Sequence, residues 1–164
     1  MGRRKSWQRI ALWLLVAACM AVIFAFSAQP AAASSQTSGW VIRWLLSRFD
    51  GNFSGLSPEE QLLRMEAWSH AVRKLAHFTI FALLGFFAFG AFSMDMPSKR
   101  AFPAALVLGT AWGILDEIHQ LFVPGRSCEF ADMCIDGAGA LLGTALSLLI
   151  LLFIKHRKIK KLNR

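Results

Sequence analysis

The sequence predicts an all-α, polytopic membrane protein: a bundle of four transmembrane helices with short interfacial helices in the first outer loop. Three observations predict it. The chain is 55% hydrophobic and 17% charged over 164 residues, with a mean hydropathy of +0.47, too apolar for an ordinary soluble domain and too short for two. Four apolar stretches, residues 10–26, 75–94, 101–122 and 133–154, each approach the roughly 20 residues that a spanning helix needs. Basic residues gather at the ends of these stretches rather than over one face or a long tail. The formal net charge of +8 therefore reads as a topology signal, and no nucleic-acid partner is expected. A basic N-terminus (1–9), a membrane domain (10–154) and a basic tail (155–164) follow from this pattern.

The first span follows Arg3, Arg4, Lys5 and Arg9. Within it, Val16-Ala17-Ala18-Cys19 is similar to a lipoprotein signal, and Ala31-Ala32-Ala33 beyond it to a signal-peptidase site. Apolar residues continue past Cys19 through Phe26, so the segment is expected to stay as a helix. The connection to the second span is polar, rich in Ser, Gln, Gly and Asp. In it, Trp40, Trp44 and Phe49 with Arg43 and Arg48 suggest a short interfacial helix. A second helix is expected from Ser57-Pro58-Glu59-Glu60, which supplies an N-cap, a proline at the first helical position and a glutamate at the third. Leu62, Leu63, Met65, Trp68 and Val72 give this helix an apolar side, and it runs into the second span. Only Asp95-Met96-Pro97-Ser98-Lys99-Arg100 joins the second and third spans. Val123-Pro124-Gly125-Arg126 turns the chain from the third into the fourth.

Twelve of the 18 Lys and Arg residues lie before the first span, between the second and third, or after the fourth. By the positive-inside rule both termini are expected to be cytoplasmic. Arg43, Arg48, Arg64, Arg73, Lys74 and Arg126 then fall on the outer side.

Charged groups at bilayer depth cost several kcal/mol unless paired, hydrated or used, which makes the outer ends of the spans the place to look for chemistry. Arg73 and His77 are four apart on one helical face, with Lys74 beside them. Asp116, Glu117, His119 and Gln120 fill the last turns of the third span, and Asp132 and Asp136 open the fourth. Gly109, Gly113, Asp116 and Gln120 step by 4, 3 and 4, as do Asp132, Asp136, Gly139 and Gly143. Two facing small-residue stripes would pack the third and fourth helices closely and bring Asp116 to Asp132 and Asp136. Such carboxylates demand a proton or a cation, and Arg73, Lys74, Arg126 and a protonated His77 are the available partners. Glu117 and His119, two apart, cannot serve one ion as an HExxH pair does; no cofactor is favoured, although ligands from three helices could still assemble around a divalent metal. Cys128 and Cys134 are six apart across a helix start, a spacing that makes a disulfide between them an open question. Cys19 is expected to face lipid.

These residues resemble the VanZ family of bacterial membrane proteins. The resemblance rests on Arg73-Lys74-Leu75-Ala76-His77-Phe78, on Asp116-Glu117-Ile118-His119-Gln120 continuing to Pro124-Gly125-Arg126, on Asp132 and Asp136 with Gly137, Gly139 and Gly143, and on Phe26-Ser27-Ala28-Gln29-Pro30. It covers roughly residues 10–150. Two positions depart from the pattern: Phe81 stands where members often have Tyr, and Asp136 where many have Asn. The resemblance implies an association with tolerance to glycopeptide antibiotics, teicoplanin in particular, and a general role in the cell envelope.

Two functional expectations follow. In the first, Arg73, Lys74, His77, Gln120, Arg126, Asp132 and Asp136 bind a membrane lipid, a lipid-linked cell-wall precursor or a glycopeptide at the outer leaflet of a bacterial cell membrane. In the second, the same site is a hydrolase or transferase for a phosphate-bearing or acylated lipid, with Asp116 or Glu117 and His119 as general acid and base. A buried ion network that only fixes helix order is the structural alternative to both.

Overall fold

The computed structural model describes the backbone of residues 2–162 and the side chains of 6–30 and 39–161. The side chains of Arg3, Arg4 and Lys5, and residue Arg164, lie outside it. Five α-helices follow in order: α1 (Gly2–Ser27), α2 (Ala31–Phe49), α3 (Pro58–Asp95), α4 (Ser98–Gln120) and α5 (Phe130–Leu162), with a 3-10 turn at Phe53–Gly55. Helices α1, α3, α4 and α5 are each long and apolar enough to cross a membrane.

The start of α3 is set by its sequence. Ser57 Oγ accepts from the Glu60 N–H at 3.4 Å, and the Ser57 N–H donates to Glu60 Oε2 at 2.9 Å, a reciprocal cap that satisfies two donors the first turn leaves open. From there α3 runs unbroken for 38 residues. At 1.5 Å per residue that is about 57 Å, well beyond a bilayer's ~30 Å hydrocarbon layer, so its first turns extend past the bundle. The polar connection before it is more ordered than its composition suggested: α2 occupies 19 residues of it. Ile42 and Leu46 of α2 are buried with Phe53, against Leu56, Met65 and Val72, and Asp50 Oδ2 pairs with Arg64 at 2.8 Å. Trp40, Trp44 and Phe49 remain on the exposed side. Burial of every third or fourth residue stabilises this helix despite its polar average.

Within the bundle, Val16, Cys19 and Ile23 of α1 pack on Phe81, Leu84, Ala88 and Phe89 of α3 and on Ala101 and Ala105 of α4. Cys19 therefore faces the core and not lipid, because it lies on the same α1 stripe as Val16 and Ile23.

The glycine stripes are also placed differently from expectation. Gly109 and Gly113 of α4 do meet α5, where an added Cβ would lie 2.6 Å from the Ala140 Cβ and 3.1 Å from the Asp136 Cβ. Gly139 and Gly143 of α5 instead lie on the backbone of α3, against Phe78 and Ala82, and Gly85 of α3 lies on the Ala140 carbonyl. Since α5 is flanked by two helices, its apolar arc is divided between them: positions 139 and 143 face α3, while 136 and 140 also reach α4. Small residues are required at both contacts because only they let the backbones approach.

Helix α4 ends at Gln120, two residues before the expected limit. Leu121 and Phe122 enter a turn in which the Val123 N–H donates to the Gln120 carbonyl at 3.0 Å. Pro124 and Gly125 then form the centre of a tight turn closed by Arg126 N–H to Val123 O at 3.1 Å. Gly125 has φ of 74°, the left-handed geometry that position i+2 of a type II turn demands. At the other end of the bundle, Arg9 pairs with Asp95 at 2.9 Å, which brings the start of α1 to the α3–α4 hairpin with Lys99 and Arg100.

Candidate functional site

The polar cluster is built at the end of the bundle remote from the Arg9–Asp95 pair. One turn of α3 presents Arg73, Lys74 and His77. The last turns of α4 present Asp116, Glu117 and Gln120. The turn that Gly125 permits carries Arg126 back over the site, and the first two turns of α5 add Asp132 and Asp136. Arg73, Lys74, His77, Gln120, Arg126, Asp132 and Asp136 all line one cleft, with Ile135 as its apolar member. The closed space between them is about 10 Å³, enough for one water-sized group.

The cleft has a buried floor. Glu117 is 1% exposed and Asp136 0%, with Asp116 and Gln120 nearly as deep. Gln120 Nε2 donates to Asp116 Oδ2 at 3.1 Å and to Glu117 Oε1 at 3.3 Å, so one amide bridges two carboxylates. The other Glu117 oxygen accepts the Glu129 backbone N–H at 2.9 Å, pinning the α4–α5 loop to the floor. Asp136 has less support: Oδ1 lies 3.5 Å from His77 Nδ1, and among the described residues neither of its oxygens has a hydrogen-bond partner.

The rim is cationic. Lys74 Nζ sits 2.8 Å from Asp132 Oδ1 and 3.5 Å from Glu129 Oε2, a pairing that occupies its charge. Arg73 donates to His70 Nδ1 at 3.0 Å. Arg126 donates over longer distances, 3.3 Å to the Gln29 carbonyl and 3.5 Å to that of Phe26. Among the described residues neither arginine pairs with a carboxylate. Burial, together with the neighbouring Arg73 guanidinium, pushes the Arg126 guanidinium below its ordinary value. Two guanidiniums thus share one cleft without an acidic partner among the described residues, and guanidinium groups have the donor geometry to hold an anion.

The catalytic candidates divide. Asp116 and Glu117 are joined through Gln120, whereas His119 turns toward α1 and packs on Phe24 with ring centroids 4.8 Å apart. Its Nδ1 has no hydrogen-bond partner among the described residues. Among the described residues no three His, Cys, Asp or Glu side chains stand together in metal-holding geometry. Cys128 and Cys134 are free thiols.

The end of α1, Phe26 to Gln29, which the family resemblance marks without a role, also belongs to the site. Ser27 is wholly buried and brings its hydroxyl beside the Asp116 carboxyl, while the Gln29 and Phe26 carbonyls hold Arg126. A serine and a glutamine where an apolar run stops before Pro30 are the only local signal. Glu129 carried no signal at all, because its approach to Lys74 depends on the loop being folded back.

No curated protein and no solved structure matches the chain. A family model does: the one described as VanZ/LLP1 matches residues 12–153, a span that holds all four long apolar helices' cores, the turn at Gly125 and every residue of the cleft. With most of its length and its whole polar site inside that match, the chain belongs to the VanZ/LLP1 family.

Proposed function

We propose that this protein binds a phosphate-bearing envelope lipid or lipid-linked cell-wall component at the outer leaflet of a bacterial cell membrane, with both termini cytoplasmic. One observation carries the reading: Arg73 and Arg126, from different elements, line the same cleft without a carboxylate partner among the described residues. Like charges brought together at partial burial repel, so the arrangement gains stability when an anion sits between them. Bidentate guanidinium–phosphate contacts fit that need. The outer-leaflet assignment draws on the positive-inside rule, since Arg9, Lys99, Arg100 and the basic end of α5 lie at the opposite end. An effect on teicoplanin susceptibility follows from the family resemblance, as glycopeptides act on lipid-linked precursors at that same leaflet.

The test compares lipids bound by the purified protein. Phosphatidylglycerol is expected to bind and diacylglycerol, which lacks the phosphate, is not; Arg126→Gln and Arg73→Gln each weaken the phospholipid about tenfold or more, the worth of a charge-assisted contact. Equal binding of both lipids would sink the proposal. In the second reading, a hydrolase or transferase, the support is the buried Ser27 hydroxyl beside Asp116. In that reading Asp116 or Glu117 and His119 act as general acid and base; His119 packs on Phe24 and, among the described residues, makes no hydrogen bond to either acid.

A further inference from the structure

The phosphate site accounts for the rim of the cleft and leaves its floor unexplained. Asp136 is 0% exposed, yet among the described residues neither carboxylate oxygen has a hydrogen-bond partner, and the one basic side chain within 4 Å of it is His77, at 3.5 Å. Lys74 does not relieve it, being held by Asp132 and Glu129. A buried carboxylate without donors is destabilising, and a group that persists in that state is matched to something that arrives with donors. Asp136 lines the same cleft as Arg73 and Arg126, so a single ligand that carries both an anion and a donor group can reach all three. The space inside the cleft, about 10 Å³, fits one water-sized group, so the anion itself sits outside it, on the half-exposed Arg73 and Arg126 at the rim. A primary ammonium has that size and three N–H donors, whereas a trimethylammonium has neither.

We infer that the cleft recognises a primary-ammonium phosphate headgroup, of the phosphoethanolamine type, carried on a membrane lipid: Arg73 and Arg126 take the phosphate and Asp136 takes the ammonium. This rests on the phosphate reading above and adds a second subsite to it. The geometry selects against choline by size and against glycerol by charge. Glu117 and Asp116 do not compete for the ammonium, because Gln120 and the Glu129 N–H already engage them.

The experiment uses the full chain in detergent and three short-chain lipids, dihexanoyl phosphatidylethanolamine, phosphatidylcholine and phosphatidylglycerol, with free phosphoethanolamine as a fourth probe. Phosphatidylethanolamine is expected to bind about tenfold tighter than the other two lipids, the scale of one charged hydrogen-bonded contact. Asp136→Asn is expected to remove that preference, so that the variant binds phosphatidylethanolamine no tighter than phosphatidylglycerol; a preference that survives the substitution overturns the role of Asp136. Equal affinities for the three lipids in the unaltered protein overturn the ammonium subsite while the phosphate site stands. Absence of binding by all three overturns both. Free phosphoethanolamine binding as tightly as the lipid overturns the assignment to a lipid. The comparison of lipids on the unaltered chain decides the matter even where a variant fails to fold.

Discussion

His77 Nδ1 lies 3.5 Å from Asp136 Oδ1, joining α3 to α5 at the level where Gly139 rests on the Phe78 backbone. A close backbone contact between α3 and α5 and a buried acid are thus one turn apart. Close packing excludes water from Asp136, and exclusion of water is what makes its lone partner matter.

Removing the acid is therefore expected to cost no stability. Asp136→Asn should melt at or above the temperature of the unaltered protein in detergent, since a neutral amide needs less compensation than a carboxylate at 0% exposure. His77→Ala, which takes away the one neighbour and leaves the acid, should lose about 1–3 kcal/mol. A large loss in Asp136→Asn would show that the pair holds the helices together.

Packing predicts an asymmetry between glycines and lipid-facing leucines. Gly143→Leu and Gly139→Leu place a side chain on α3 backbone that cannot move aside, so each is expected to cost 1–3 kcal/mol or more. Gly113→Leu, against Asp136 and Phe81, should also lower the melting temperature. Leu146→Ala, on the outside of the bundle, should stay within about 0.5 kcal/mol. Unchanged melting of both α5 glycine variants would contradict the α3–α5 contact.

Topology is checked by reporter fusions. Fusions at residue 97 and after residue 156 should read cytoplasmic, and one near Ser54 external. An external signal at residue 97 would invert the bundle and put the cleft on the inner leaflet.

Function and folding separate at the rim and floor. Under the binding reading, Asp116→Asn and Arg126→Gln abolish an envelope phenotype, such as altered teicoplanin susceptibility in an expressing host, with membrane level and melting nearly intact. A network that only holds helices together predicts the opposite, because each substitution strips hydrogen bonds from buried groups, those of Arg126 to the Gln29 and Phe26 carbonyls or of Asp116 to Gln120, at about 1–3 kcal/mol. Quantitative immunoblots beside susceptibility assays distinguish the two.

Much of this protein is legible in one dimension. Hydropathy and length specify four spans, basic clusters sort them by end, the Ser57–Glu60 box starts α3, and Pro124-Gly125 makes a turn, because each depends on residues within a few positions of one another. The acids and bases could likewise be assigned to a shared level from spacing alone. Which faces meet was not so readable. The 4-3-4 stripes of α4 and α5 look identical in sequence, yet one rests on α5 and the other on α3, since a helix with two neighbours distributes its small residues according to packing. Cys19 joined the core, Lys74 rather than an arginine took Asp132, Glu129 folded back onto Lys74, and Ser27 came up beside Asp116. Those are contacts between residues far apart in the chain, and their energies depend on distances that only the assembled bundle defines.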